Sequence, residues 1–409
     1  MMRSRFTLFT LILVSLFSLA AYSHAVAGPK YTDPEKTDAD FAIQGEYVGE
    51  FQTKEGKDKF GAQVIALGKG QFELVGYHGG LPGDGWNGED PVRAKGSLVD
   101  GKVSFKDEHG SGTLADGKIE CFNPDGKKLG DLKKIVRKSP TLGEKPPAGA
   151  VVLFDGTNAD GWINGVVEDG LLCQGTTSKA RFQSHKVHLE FRLPYQPEDR
   201  GQGRGNSGIY IQGRYECQML DSFGLAGKMN ECGGLYSVKD CDLNMCFPPL
   251  TWQTYDIDYT AAKFDDAGKL VANPRVTVKL NGVIIHDDVE LPGERNTTAA
   301  PSKPGPEPGP TYLQNHGCPV RYRNIYGIPR SRAGVSDVVL TFETPETTFG
   351  EVVSEIANQF PQFAFSCVLG DRLLPSFSAN INGDRFVNDP AMVVHHGDTI
   401  LLLSSDAGG

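Results

Sequence analysis

The chain has 409 residues, a formal net charge of -10 and 39% hydrophobic residues. That length allows two or three domains, and the acidic balance excludes a general nucleic-acid partner, which wants a basic face. Fifty Gly and 25 Pro, with strand-like patterning throughout, predict a turn-rich and mainly β protein.

The first residues read as an export signal. Arg3 and Arg5 form a positive start, residues 6–20 are apolar, and Ala25-Val26-Ala27 offers a small-x-small cleavage site. The apolar run is short against the roughly 20 residues of a membrane span. Nothing later is apolar enough to cross a membrane, so the mature chain is expected to be soluble, and secreted or periplasmic. Eight cysteines in an exported chain suggest disulfides. A zinc site is the weaker reading: no Cys-x-x-Cys occurs, and Cys241 to Cys246 is too wide for the usual ligand pair.

Residues 28–40 are polar and read as a loose leader. Over 41–136, short β runs alternate with Gly/Asp turns, with Asp100-Gly101 and Asp116-Gly117 as hairpin signals. This predicts a small antiparallel β domain over 28–136. Residues 137–150 form a Pro-rich linker. Longer strands occupy 151–329, with turns at Gly213-Arg214 and Asn281-Gly282, and no long amphipathic helix interrupts them. That predicts an antiparallel two-sheet jelly-roll sandwich. The low-complexity insert 295–310 is expected to be a mobile surface loop, and its Asn296-Thr297-Thr298 is formally a glycosylation sequon. Residues 330–409 change to strand, helix, strands. "DVVLTFE" reads as a strand, apolar spacing from Phe349 to Phe360 reads as a helix, and Thr348 with Glu351 reads as its capping box. The tail is therefore a separate small α+β domain.

Across 150–329 an ordered series of motifs appears: "VVLFDGTNADGW", "GNSGIYIQGRYECQMLD", "GGLYSV", "PLTWQTYDI", "LNG" and "YLQNHGCPVRYRNI". This series resembles the 3-keto-disaccharide hydrolase family, also described as 3-keto-glucoside 1,2-lyase/hydratase domains with a concanavalin-like jelly roll. The resemblance implies an enzyme acting on a 3-keto-sugar. A C3 ketone acidifies the C2 hydrogen, so a base can form an enolate and the C1 oxygen can leave. Addition of water then completes a net hydrolysis. Such a site needs a base, an acid for the leaving group and donors for the enolate oxygen. An ordinary glycosidase instead needs two carboxylates at a set separation.

Position suggests the candidates. Glu216 and Gln218 alternate on one strand and share a face. Asp221 ends that strand. His316 sits at a polar strand end before Gly317, and histidine is the side-chain type that suits proton transfer near neutrality. Glu216, Asp221, His316 and Arg323 are the catalytic candidates. Asn206, Tyr210, Gln218, Tyr236, Trp252, Gln314 and Asn324 are the substrate-binding candidates. Glu216 with Arg323 could instead be a structural ion pair, Asp221 and Asn206 could serve turns, and Trp252 could be core. Glu216, Asp221 and His316 could also hold a divalent metal that binds the enolate. No other cofactor is expected. Cys232 and Cys246 bracket a polar loop and are the disulfide candidates, while Cys217 on a core strand is a buried-thiol candidate. A non-catalytic carbohydrate-binding module is the alternative to the enzyme.

The tail, with "TTFGEVV", "NINGD", "HGDTILLL" and the terminal Gly408-Gly409, resembles the β-grasp sulfur carriers, the small subunit of molybdopterin synthase and the thiamine sulfur carrier. The resemblance implies a terminus that an adenylating enzyme activates in the cytosol. Adenylation needs ATP, which an exported protein does not meet, so the tail is expected to be a structural appendage. Residues 319–332 are wanted both as the last jelly-roll strand and as the first β-grasp strand, and one strand cannot easily serve both.

Overall fold

A computed structural model describes residues 28–404, apart from 54–55, 148–149, 266, 330–337, 361–363, 365–366 and 376. The export signal and Gly408-Gly409 lie outside the described residues. No helix among the described residues is long and apolar enough to cross a membrane.

The first unit is a closed antiparallel barrel. Its strands are β1 (Gly45–Gln52), β2 (Lys57–Gly68), β3 (Gln71–His78), β4 (Val92–Val99), β5 (Lys102–Lys106), β6 (Ser111–Ala115), β7 (Lys118–Phe122) and β8 (Lys128–Ile135). β8 closes on β1, which removes both sheet edges. The Asp100-Gly101 and Asp116-Gly117 turns adopt positive φ at both positions, as two-residue hairpins require. Alternate residues such as Tyr47, Val64, Phe72, Val103, Phe105 and Ile119 fill the interior. The outward residues Ile65, Val75, Tyr77 and Leu81 pack with Phe223 of the second unit.

The leader is not loose. Tyr31 exchanges both backbone hydrogen bonds with Tyr195, and their rings stack at 5.7 Å. Helix α1 (Ala39–Ile43) is capped by Asp38, whose carboxylate also accepts from the Tyr195 hydroxyl at 3.0 Å. Burying these aromatic rings fixes a segment whose polar residues alone would leave it free.

The second unit is a two-sheet antiparallel sandwich. Its strands are β9 (Val151–Phe154), β10 (Trp162–Ile163), β11 (Val167–Glu168), β12 (Leu171–Cys173), β13 (Thr176–Phe182), β14 (His185–Arg192), β15 (Asn206–Ile211), β16 (Tyr215–Leu220), β17 (Trp252–Thr260), β18 (Lys263–Phe264), β19 (Leu270–Ala272), β20 (Arg275–Leu280), β21 (Val283–Glu290), β22 (Gly309–Leu313) and β23 (Arg321–Pro329). The five-stranded sheet runs β10-β13-β22-β15-β16. The eight-stranded sheet runs β11-β12-β23-β14-β17-β20-β21, with β9 also on β23. β18 and β19 form a small ribbon. Leu189, Phe191, Ile209, Tyr215, Tyr255, Ile257, Val278 and Tyr322 fill the space between the sheets.

Three segments expected to be loose or ambiguous take definite places. The linker crosses the outer face of the eight-stranded sheet: Thr141 Oγ1 donates to Asp256 Oδ2 at 2.8 Å, and Gly143 N–H donates to Glu190 Oε1 at 2.6 Å. The insert 295–310 is anchored rather than simply trailing. Arg214 donates to the Lys303 and Glu307 carbonyls at 2.7 and 2.9 Å, and buried Thr297 accepts the Glu216 N–H at 2.9 Å. The contested strand, β23, pairs with β9, β12 and β14, so it belongs to the sandwich.

The tail contains β24 (Glu346–Thr348), α2 (Phe349–Gln359), β25 (Val368–Leu369), β26 (Arg372–Leu373), β27 (Phe377–Ile381), β28 (Arg385–Val387), β29 (Val393–His395) and β30 (Ile400–Ser404). The expected strand at "DVVLTFE" is absent over its described residues. The paired segment lies later, where β24 meets β29. Helix α2 has the expected capping box: Thr348 accepts from Glu351 N–H, and the Glu351 carboxylate accepts from Thr348 N–H. Its Phe349, Val352, Val353 and Ile356 face Ala379, Ile381 and Val394 in one small core.

Candidate active site

The outer face of the five-stranded sheet gathers most of the expected polar residues. On β15, Ile209 and Ile211 turn into the core, so Asn206, Gly208 and Tyr210 turn outward. On β16, Tyr215, Cys217 and Met219 turn inward, which leaves Glu216 and Gln218 outside. The segment after Cys232 extends this sheet: Gln218 and Gly234 pair through Gln218 N–H to Gly234 O at 2.9 Å, and Tyr236 N–H donates to Glu216 O at 3.1 Å. Gln314 N–H donates to Gly208 O at 2.9 Å from the other side.

Glu216 is the chemical centre of this face. It is 3% exposed. Burial pushes its carboxyl up to about 7, although a hydrogen bond from Tyr210 pulls the other way. The Tyr210 hydroxyl lies 2.8 Å from Glu216 Oε2 and 2.9 Å from Thr298 O, and it accepts from Gln314 Nε2 at 3.1 Å. One phenolic proton thus serves two acceptors. When Glu216 is ionised, Tyr210 donates to it. When Glu216 is protonated, it can donate to Tyr210, which then turns to Thr298. The Tyr210 pKa is held far above its ordinary value by burial and then by Glu216, so it stays a donor rather than a phenolate.

A glycine makes room for this carboxyl. A Cβ on Gly208 would stand 2.9 Å from Glu216 Cγ and would overlap its Oε1. Gln218 Nε2 and Asn206 Nδ2 both reach Gln202 Oε1, at 3.3 and 3.1 Å, so Gln202 bridges two amides of the face.

Other candidates lie elsewhere. The Asp221 carboxyl is buried beside Arg204, with Oδ2 2.9 Å from Nε but off the hydrogen-bonding angle. Burial outweighs Arg204 and raises its pKa. Its surroundings are those of a structural ion pair. His316 is exposed in the turn after β22, where Gly317 N–H donates to Asn315 Oδ1 at 2.9 Å and Lys30 Nζ donates to Gly317 O at 2.7 Å. Arg323, Asn324 and Trp252 are on the eight-stranded sheet, facing away from Glu216. Arg323 Nε donates to Glu190 Oε2 at 2.5 Å, Asn324 Nδ2 donates to Glu190 Oε1 at 2.9 Å, and Arg323 lies over the Trp252 ring at 4.1 Å. The ion pair weighed for Arg323 therefore exists, with Glu190 in place of Glu216. Burial raises the Glu190 carboxyl, but the neighbouring His188 and hydrogen bonds from Asn324, Arg323 and Gly143 outweigh it and hold it down at about 2.

Glu216, Asp221 and His316 do not converge as metal ligands. The trio of such residues that does converge among the described residues is on the other sheet. Cys232 and Cys246 are neighbours, but no disulfide joins them. Cys246 Sγ lies against the Leu220 and Phe247 carbonyls at 3.6 and 3.5 Å, and Cys232 Sγ lies 3.6 Å from the Tyr255 hydroxyl, so each thiol has polar neighbours without a bridge. Cys217 is the buried thiol expected.

Several site residues were not anticipated. Gln202, Thr297 and Thr298 come from loops with no periodic signal. Gly208 was visible only as a turn-like glycine after Asn206-Ser207.

Residues 149–326 match the family described as the 3-keto-alpha-glucoside-1,2-lyase-like domain. None of the curated proteins compared matches the chain. Three crystal structures from Parabacteroides distasonis, each named a "putative glycosyl hydrolase", are similar. The first is 31% identical with a TM-score of 0.42, and covers 45% of this chain and 85% of its own. The second is 18% identical with a TM-score of 0.34, over 45% of this chain and 94% of its own. The third is 18% identical with a TM-score of 0.31, over 44% of this chain and 98% of its own. The sandwich at 149–326 is thus a carbohydrate-active, glycosyl hydrolase-like domain belonging to the 3-keto-alpha-glucoside-1,2-lyase-like family.

Proposed function

We propose that the sandwich cleaves 3-keto-glycosides by elimination and hydration, with Glu216 as the base. The observation that carries this reading is a buried carboxyl with a pKa near 7, hydrogen-bonded to Tyr210 on a face of amides and aromatic rings. Glu216 takes the C2 proton, and the electron pair moves to the C3 oxygen as an enolate. Amides from Gln218 and Gln314, each with one N–H to spare, are the donors at hand for that oxygen. The enolate collapses, the C1–O bond breaks, and the leaving oxygen takes a proton from solvent. Water then adds to C1 of the enone, releasing its proton to solvent, and Glu216 returns its own proton to C2. Tyr236 supplies an aromatic wall.

The pairing of Asp221 with Arg204 supports elimination over an oxocarbenium mechanism, which needs a second free carboxyl group across the bond. The residue 1–27 pattern supports export, and the tail is proposed as a structural appendage.

A chromogenic 3-keto-glucoside tests the reading. Wild type should release the chromophore, and Glu216→Gln should not. Binding without release by wild type would favour a carbohydrate-binding module. Undiminished release by folded Glu216→Gln would remove Glu216 from the mechanism.

A further inference from the structure

Glu144, His188 and Asp256 converge on the outer face of the eight-stranded sheet, each offering a ligand atom within 4.8 Å of the others. They come from three places. Glu144 belongs to the segment leading from the barrel, His188 to β14 and Asp256 to β17. His188 and Asp256 are direct partners across the β14–β17 ladder.

The imidazole is held but not satisfied. Its side chain is 3% exposed, and Nδ1 lies 2.6 Å from Asp256 Oδ1. Nε2 is 4.0 Å from Glu190 Oε1, beyond hydrogen-bond reach, and has no hydrogen-bond partner among the described residues. Leaving such a buried nitrogen unmatched is unfavourable. The Tyr326 ring stacks on the imidazole at 4.9 Å and 20°, which fixes its plane. Thr141 Oγ1 orients the Asp256 carboxylate, as supporting partners of metal ligands do.

Charge points the same way. Three carboxylates meet here: Glu144, Asp256 and Glu190. Arg323 offsets one through Glu190. Glu144 and Asp256 remain beside the imidazole, where a proton on His188 or, in its place, a divalent cation offsets their charge. Calcium and magnesium take oxygen ligands, whereas an imidazole with carboxylates suits zinc and its first-row neighbours.

We propose that Glu144, His188 and Asp256 bind one zinc-type divalent ion, which ties the segment leading from the barrel to two strands of the sandwich. Ligand atoms this close need only a small closure to sit about 2.0–2.2 Å from an ion. The site is remote from Glu216, and its role is to hold the two units together.

Full-length protein treated with EDTA and dialysed is titrated with zinc chloride in a calorimeter. One saturable ion per chain is expected, at micromolar affinity or tighter, and cobalt substitution should give the visible bands of a low-coordinate imidazole–carboxylate site. Glu144→Gln changes an exposed side chain and should leave the fold intact while weakening zinc binding at least tenfold. His188→Gln should abolish it. Chelation should lower the melting temperature of wild type and leave that of Glu144→Gln unmoved. Absence of a saturable site in wild type, or equal affinity in wild type and Glu144→Gln, overturns the proposal and leaves exposed histidines such as His316 and His395 as the zinc binders.

Discussion

The carboxyl of Glu216 lies across Gly208 and reaches the Tyr210 hydroxyl at 2.8 Å. The neighbouring strand β15 thus gives the base both a floor and a partner. Gly208→Ala should push the carboxyl off this floor, because its Oε1 occupies the place of the new Cβ. Turnover of a 3-keto-glucoside should fall on the order of 100-fold, the lower end of what a positioned base contributes. Far-ultraviolet circular dichroism should remain that of wild type.

Glu216→Gln should lower kcat about 10³-fold, and wild-type kcat/KM should rise with pH through about 7 as the carboxyl ionises. The same group affects stability with a definite sign. Its folded pKa is raised above the unfolded value of 4.5. As pH rises from 4.5 to about 7, the unfolded chain loses this proton before the folded one does, and the fold is destabilised by a few kcal/mol. Glu216→Gln should therefore be more stable than wild type, with the difference growing across that window and then levelling. Denaturant titrations at several pH values measure it, and a difference that shrinks as pH rises contradicts the assignment.

Arg323→Ala should cost stability rather than chemistry. It leaves Glu190, with a side chain 1% exposed, without its guanidinium partner. A loss of about 2 kcal/mol is expected, below the 3–5 kcal/mol of a fully buried pair because Arg323 is partly exposed and Asn324 and Gly143 still donate to Glu190. Kcat on the 3-keto-glucoside should stay within about twofold of wild type, since Arg323 is on the sheet opposite Glu216.

Thr348→Ala removes half of the capping box of α2. It should destabilise the tail by about 1 kcal/mol. Hydrogen exchange should quicken in α2 and leave β14, β17 and β23 unchanged, because the tail has its own core.

The alternation in "GIYIQGRYECQML" was enough to place Glu216 and Gln218 on one face, because a half-buried strand imposes period two. The Asp-Gly hairpins were legible for a similarly local reason, the positive φ that such turns demand. Barrel closure was not legible, since it depends on β1 meeting β8 across the whole unit. Arg323 and Trp252 share the same motif series as Glu216 but go to the opposite sheet, and only the strand order decides that. The displaced tail strand has a related cause. Residues 338–343 have the apolar composition of a strand, yet the partner β29 is taken by β24. The buried pKa of Glu216 was likewise invisible, because the loops around it carry no periodic pattern.

The placement of β23 has a consequence for how the protein forms. β23 is among the last sandwich strands in the chain, yet it lies between β12 and β14 and also pairs with β9, the first. The eight-stranded sheet cannot assemble progressively from its beginning. Its earliest strand waits, unpaired on that side, until residues 321–329 arrive. Such non-local pairing slows folding, and the barrel, complete by residue 135, can form well before it. The molecule should refold in two phases, a fast one reporting the barrel and a slower one reporting the sandwich.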